Sequence, residues 1–167
     1  MIQFAYLDKA KFPQMSRGLF DILATNMNAI APTGNAYEDD LASWCGAVAQ
    51  GLAKENRQII LMLTDGDQLI GFFQYCTSGG LLMMEEIQLA SSWQGKDNVF
   101  RRLYDFFIPQ LSGIQTVEAY ANKQNAKSQG ILKRLGLTVI GENRTGSSYH
   151  YRGQFTALLN WLHHSAR

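Results

Sequence analysis

Ile2, Phe4 and Tyr6 alternate with small or polar neighbours, the period-2 signature of a short strand. Pro13 then stands where a first helical turn tolerates it, and Met15, Leu19, Ile22 and Leu23 recur at helical spacing, which predicts a helix to about residue 27. Pro32 and Gly34 mark a loop. Asn35 and Glu38 stand three apart ahead of Leu41, Trp44, Val48 and Leu52, the pattern of an N-cap, its capping-box partner and an amphipathic helix ending near Lys54. Apolar runs over 58–64 and 68–77 flank Asp65-Gly66-Asp67, and an Asp-Gly turn between two such runs predicts an antiparallel hairpin. Gly79-Gly80 leads into a third run over 81–89.

Further along, Phe100, Leu103, Tyr104 and Phe107 share one helical face until Pro109 forbids continuation. A strand over 116–121 and a helix over about 125–135 follow, with Gly136 in the C′ position that favours a left-handed backbone. Strands over 137–141 and 147–152 make a hairpin around 143–146, and Phe155, Leu158, Leu159 and Leu162 mark a last short amphipathic helix. The order is strand, two helices, three strands, helix, strand, helix, two strands, with a C-terminal helical extension over 153–167. Three consecutive strands after two helices exclude a purely alternating strand-helix fold. A chain of 167 residues buries roughly 70% of its unfolded surface as one unit, so a single domain over 1–167 is expected.

Net charge is only +1, but it is unevenly spread. Residues 1–93 hold five Lys/Arg against ten Asp/Glu, and residues 94–167 hold ten against four. A basic second half suits a polyanionic ligand and an acidic first half a cationic one. The longest apolar run, 59–63, is far too short to cross a bilayer, and no charged segment followed by an apolar one opens the chain, so a cytoplasmic protein with no membrane partner is expected. Cys45 and Cys76 make neither a disulfide framework nor a zinc constellation, and His150, His163 and His164 have no metal-ligand spacing. No metal is expected. No basic stripe with interleaved aromatics appears, so no nucleic-acid partner is expected either.

Candidate chemistry concentrates after the third apolar run. Trp93-Gln94-Gly95-Lys96-Asp97-Asn98 ends a strand and opens a helix, which leaves backbone N–H groups unpaired at the positive end of the helix dipole. Such a turn is an anion site. Just before it, Glu85 and Glu86 point to opposite faces of the strand, so one of the two reaches the face that carries chemistry.

Two local patterns give the chain a family likeness. One is Gln94-Gly95-Lys96-Asp97-Asn98-Val99 after a strand ending at Leu89; the other is Asn125, Ser128 three on, Ile131 six on, and Gly136-Leu137 at eleven and twelve. With both in this order, the chain resembles the GNAT superfamily of acyl-CoA-dependent N-acyltransferases over about residues 1–153. The resemblance implies an α+β (α/β) fold with a mixed, mostly antiparallel central sheet of about seven strands flanked by helices. It implies an N-acetyltransferase that uses acetyl-CoA as acyl donor, without metal, and an amine acceptor, small or peptidyl, that attacks directly. By the same likeness the N–H groups of Gln94, Gly95, Lys96, Asp97, Asn98 and Val99 face the pyrophosphate of coenzyme A. The main chain of Leu89 and Ala90 pairs with the pantetheine arm and polarises the thioester carbonyl, and Asn125 and Ser128 contact the cofactor. Lys96 and Arg101 add attraction for the phosphates, and Glu86, three before Leu89, is the implied general base.

The chain also departs from the family pattern. Asp97 and Val99 stand where the turn has glycines, and Asp97 either points away from a phosphate or caps the helix with its own carboxylate. Leu132 stands seven after Asn125, where many family members carry a Tyr that protonates the departing thiolate. Tyr149 or Tyr151 is the expected substitute, against a plain packing role in the sheet. Glu38, Asp39 and Asp40 either attract a cationic amine or compensate the dipole of their helix. Together these departures suggest an alternative: a catalytically impaired GNAT-like binding or regulatory module, with the apolar face of 155–162 serving a protein partner or a homodimer.

Overall fold

The computed structural model describes residues 1–54 and 56–164; Glu55 and residues 165–167, the last part of the expected C-terminal extension, lie outside the described residues. The strands are β1 (Gln3–Tyr6), β2 (Arg57–Leu63), β3 (Leu69–Ser78), β4 (Leu81–Leu89), β5 (Thr116–Asn122), β6 (Thr138–Glu142) and β7 (Ser148–Gln154). The helices are α1 (Phe12–Ile30), α2 (Tyr37–Leu52), α3 (Val99–Phe107), α4 (Ala126–Arg134) and α5 (Phe155–His164). This is the element order expected from the hydrophobic pattern. The strands form one mixed, mostly antiparallel sheet in the order β1-β2-β3-β4-β5-β7-β6. β4 and β5 run parallel, from Leu81 opposite Thr116 to Met84 opposite Ala119, because the helical crossover through α3 returns the chain to the same end of the sheet.

The chain divides into two compact units, residues 1–75 with 86–99, and residues 76–85 with 100–167. In the first, α1 and α2 bury Leu19, Phe20, Leu23, Leu41, Val48 and Leu52 against Ile59, Leu61 and Phe72 of the sheet. Trp44 sits among these apolar groups, its ring 5.8 Å from Phe12, 5.7 Å from Phe20 and 5.9 Å from Phe72. In the second unit Leu103, Tyr104 and Phe107 of α3 are buried, as are Leu132, Val117, Ala119 and Tyr151.

Local chemistry revises three expectations and settles the form of one turn. α2 begins after Ala36, which has no side-chain cap; Asn35 and Thr33 instead donate to the carboxylate of Asp40, at 3.2 and 2.5 Å. The 64–68 hairpin has its left-handed residue at Asp67 (φ 60°) rather than at Gly66, with the Asp67 N–H bonded to the Thr64 carbonyl at 2.9 Å. That is a three-residue loop closed by a left-handed position, the form taken when a right-handed turn must still return the chain. α1 runs to Ile30, three residues past the expected end. The apolar face of α5 is not exposed: Leu158 and Leu162 are 0% and 3% accessible, so the docking face expected over 155–162 is filled by the protein's own core. Gly136 does what its position predicts. At φ 91° it ends α4, with its N–H bonded to Lys133 O (3.0 Å) and that of Leu137 to Leu132 O (3.1 Å), a Schellman pair.

Candidate functional site

Side chains on β4 alternate, and the set at 86 and 88 reaches the helices of the first unit. The Trp44 indole N–H donates to Glu86 Oε1 at 3.0 Å, and Asn26 Nδ2 donates to Gln88 Oε1 at 2.9 Å. Glu85 is exposed and accepts from Cys76 Sγ at 3.2 Å. Of the adjacent acids, Glu86 is therefore the one drawn inside. The Ala90 N–H is bonded to Ile70 O at 2.7 Å and is committed to β3. Backbone groups alternate sides along a strand, so those of Leu89 face away from β3. The Leu89 carbonyl accepts two amide donors, Asn26 Nδ2 at 3.0 Å and Gln94 Nε2 at 2.9 Å. Among the Leu89 and Ala90 polar groups expected to meet a ligand, the Ala90 N–H and the Leu89 carbonyl are thus already engaged.

The loop that follows has an unusual backbone. After a single 3-10 turn at Ser91–Trp93, Gly95, Asp97 and Asn98 all take positive φ, at 74°, 54° and 52°, and α3 starts at the next residue. Asp and Asn are the non-glycine residues that tolerate this region best, which is how the loop forms with Asp97 in a glycine's place. Alternation of right- and left-handed residues and tight turns are the backbone conformations in which neighbouring N–H groups make an anion-binding concavity. Two of the six N–H groups from Gln94 to Val99 make local bonds, Gln94 to Ser91 O and Lys96 to Trp93 O, both long at 3.3 Å. Asp97 is exposed, and among the described residues its carboxylate makes no hydrogen bond, so it does not cap α3. Lys96 is exposed as well. Arg101 is not available to a phosphate: it donates to Leu162 O at 2.6 Å and lies over the Trp161 ring at 4.5 Å.

In the second unit Asn125 is the N-cap of α4, its Oδ1 accepting from the Ser128 N–H at 3.0 Å, while its own N–H bonds Asn122 O at 2.9 Å. Leu132 is buried. Tyr151 is fully buried, and its hydroxyl has no hydrogen-bond partner among the described residues. Burial pushes that phenol up from its ordinary pKa, and the neighbouring Tyr149 adds to the shift. Tyr149 is half-buried with the Lys123 ammonium 5.2 Å from its ring centre. In the first unit, Glu38 pairs with Arg17 at 3.1 Å, and Tyr37 donates to Asp21.

A second group of ionisable side chains, unmarked by any motif, lies on one face of β5 and β7. Glu118 is buried and bonded on both oxygens, to His150 Nε2 at 2.5 Å and to Arg152 Nη2 at 3.2 Å. The Tyr120 ring stacks on the His150 imidazole at 4.3 Å and 15°. The only trace of this group in the sequence is the period-2 placement of polar residues at 116, 118, 120 and 122 and at 150 and 152. Among the described residues no cluster of His, Cys, Asp and Glu has the arrangement of a metal site, and no helix is long and apolar enough to cross a membrane.

No family model and no curated protein matches the sequence. Solved structures do match. A PaiA N-acetyltransferase from Thermoplasma acidophilum, in complex with coenzyme A, is similar over 92% of this chain and 99% of its own, with a TM-score of 0.68 and 15% identity. An acetyltransferase of the GNAT family from Staphylococcus aureus is similar over 92% and 99%, with a TM-score of 0.70 and 7% identity. A chimera of the spermidine N-acetyltransferase SpeG from Vibrio cholerae and hSSAT is similar over 95% and 98%, with a TM-score of 0.63 and 12% identity. At such identities the likeness is one of fold.

Proposed function

This chain has the GNAT fold, and we propose that it is an N-acetyltransferase that takes acetyl-CoA as donor and a cationic amine as acceptor. The observation that supports the reading is the positive φ at Gly95, Asp97 and Asn98 in the turn at the head of α3, a place where main-chain N–H groups suit an anion. The N–H groups of Gly95, Asp97, Asn98 and Val99 would hold the pyrophosphate, and Asn125 and Ser128 would contact the cofactor. Acetyl-CoA supplies the activated acyl group as a thioester. With the Ala90 N–H turned to β3, the remaining candidate for polarising that carbonyl is the Leu89 N–H, and the next peptide, Leu89–Ala90, is held by two amides on its carbonyl and by Ile70 O on its N–H. Glu86, oriented by the Trp44 indole, supplies negative charge that attracts the acceptor's nitrogen, and Asp39 in the first turn of α2 adds to it.

Thiol release from acetyl-CoA in the presence of diamines, polyamines and amino-terminal peptides tests the reading. Turnover with a cationic amine, and a raised KM for that amine in Glu86→Gln, is the expected result. A specific observation favours a second reading, the impaired module: the usual acid position is filled by buried Leu132 and the Tyr151 hydroxyl is sealed in the core. Binding of acetyl-CoA without turnover on any amine would select it. The same reading has the protein acting in the cytoplasm, alone or as a homodimer.

A further inference from the structure

Asn26 on α1 belongs to no motif, yet its carboxamide stands at the centre of a hydrogen-bond network at the end of β4. Its Nδ2 donates to Gln88 Oε1 at 2.9 Å and to the Leu89 carbonyl at 3.0 Å. Gln94 Nε2 donates to that same carbonyl at 2.9 Å and to Asn26 Oδ1 at 3.3 Å. A main-chain carbonyl can only accept, so Leu89 fixes which end of each amide faces it. With both nitrogens turned to Leu89, the second hydrogen of each amide goes to the next oxygen along, Gln88 Oε1 for Asn26 and Asn26 Oδ1 for Gln94. The three side chains are half-buried, where a satisfied polar network holds its members more firmly than exposed bonds do.

Gln94 is the first residue of the 94–99 turn, and that turn is weakly tied within itself. Its local main-chain bonds, from the Gln94 N–H to Ser91 O and from the Lys96 N–H to Trp93 O, are both 3.3 Å, and Gly95, Lys96, Asp97 and Asn98 are exposed. Exposed backbone with long bonds opens easily unless something outside holds it. The shorter tie is the Gln94 side chain on Leu89 O, and Asn26 completes it from a 19-residue helix that buries Leu19, Phe20 and Leu23 in the core. Asn26 lies 68 residues from Gln94 in the chain, which is why no local pattern marks it.

We propose that Asn26 is a positioning residue for the acyl donor: through Gln94 and the Leu89 carbonyl it holds the 94–99 turn in the form that receives the donor's phosphates. The inference rests on the acetyltransferase reading and gives α1 a share in donor affinity. A loop that must be ordered on binding costs affinity, and a turn held beforehand avoids that cost. The effect therefore falls on donor binding and not on the chemical step.

The test is a calorimetric titration of the wild type, Asn26→Leu, Gln94→Met and the double variant with acetyl-CoA. Asn26→Leu keeps the size of the side chain and removes its amide, so Kd should rise about tenfold; Gln94→Met cuts the same tie from its other end and should do the same. The double variant should bind no more weakly than the weaker single one, because both cut one clamp; additive losses overturn the inference. In steady-state rates KM for acetyl-CoA should rise while kcat and the KM of the amine hold, a split that a general loss of stability does not produce. Without ligand, amide hydrogen exchange over residues 95–99 should quicken in Asn26→Leu. Unchanged exchange there overturns the inference without reference to acetyl-CoA. An unchanged Kd in both single variants overturns it and leaves the acetyltransferase reading standing. A lowered Kd overturns it as well, the two amides then barring the donor from the Leu89 carbonyl. A wild-type protein that fails to bind acetyl-CoA overturns both.

Discussion

The ends of β4 and β5 do their work with different parts of the residue. At the end of β4 the organised groups are main-chain ones: the Leu89 carbonyl clamped by Asn26 and Gln94, the Ala90 N–H on β3, and three left-handed residues that open the head of α3. The side chains of Lys96 and Asp97 take no part in that geometry. On β5 and β7 the organised groups are polar or aromatic side chains, Glu118, His150, Arg152 and Tyr120, held at hydrogen-bond or stacking distance. The difference teaches how a fold can persist at 7–15% identity. A backbone turn asks only that each residue tolerate its φ, whereas a buried carboxylate and its partners ask for particular atoms.

The comparison breaks most severely at Gly71, at the root of the backbone end. A Cβ there would stand 2.5 Å from Gln88 O and 3.2 Å from Leu89 Cδ1, and backbone cannot give way cheaply. Gly71→Val should cost more than about 3 kcal/mol, read as a fall in denaturation midpoint together with loss of acetyl-CoA binding. Arg101→Ala is next. It removes a 2.6 Å bond to Leu162 O and a ring contact with Trp161, so stability should fall by about 1–2 kcal/mol while the acetyl-CoA Kd stays within twofold. A large loss of affinity instead would return Arg101 to the phosphates.

Smaller effects sharpen the contrast. Asp97→Asn keeps a residue that tolerates φ 54° and removes a carboxylate from the rim of the cradle. Acetyl-CoA should then bind about fivefold tighter at low salt, with the gain fading near 0.5 M salt as exposed charges are screened. No change at any ionic strength would mean the loop does not face the phosphates. Tyr151→Phe deletes a buried hydroxyl that has no partner among the described residues, so stability should hold or rise by up to about 1 kcal/mol with kcat unchanged. A drop in kcat would restore Tyr151 as the proton donor.

How much of this was readable in advance follows from the range of the interactions involved. Gly136 at the end of α4 and the turn after Leu89 are local events, each decided within about six residues, and period and turn chemistry report them well. Asn35 is not the cap because α2 starts one residue later, after Ala36, and the Asn35 amide is turned to donate to Asp40 five residues on. The α5 face was misread because periodicity marks an apolar stripe but not what covers it, and here the protein's own core does. Trp44 with Glu86 and His150 with Glu118 lie 42 and 32 residues apart in the chain. Pairings of that kind depend on strand register and helix placement, and the alternation of a strand gives only the face.

The most direct test of the central claim, that this chain uses its GNAT fold to hold acetyl-CoA on the backbone cradle after β4, is a calorimetric titration of the purified protein with acetyl-CoA, with desulpho-CoA as the thiol-free control. Micromolar binding of both ligands, made tighter by Asp97→Asn and untouched by Arg101→Ala, is the predicted result. Absence of binding up to millimolar acetyl-CoA would contradict the account.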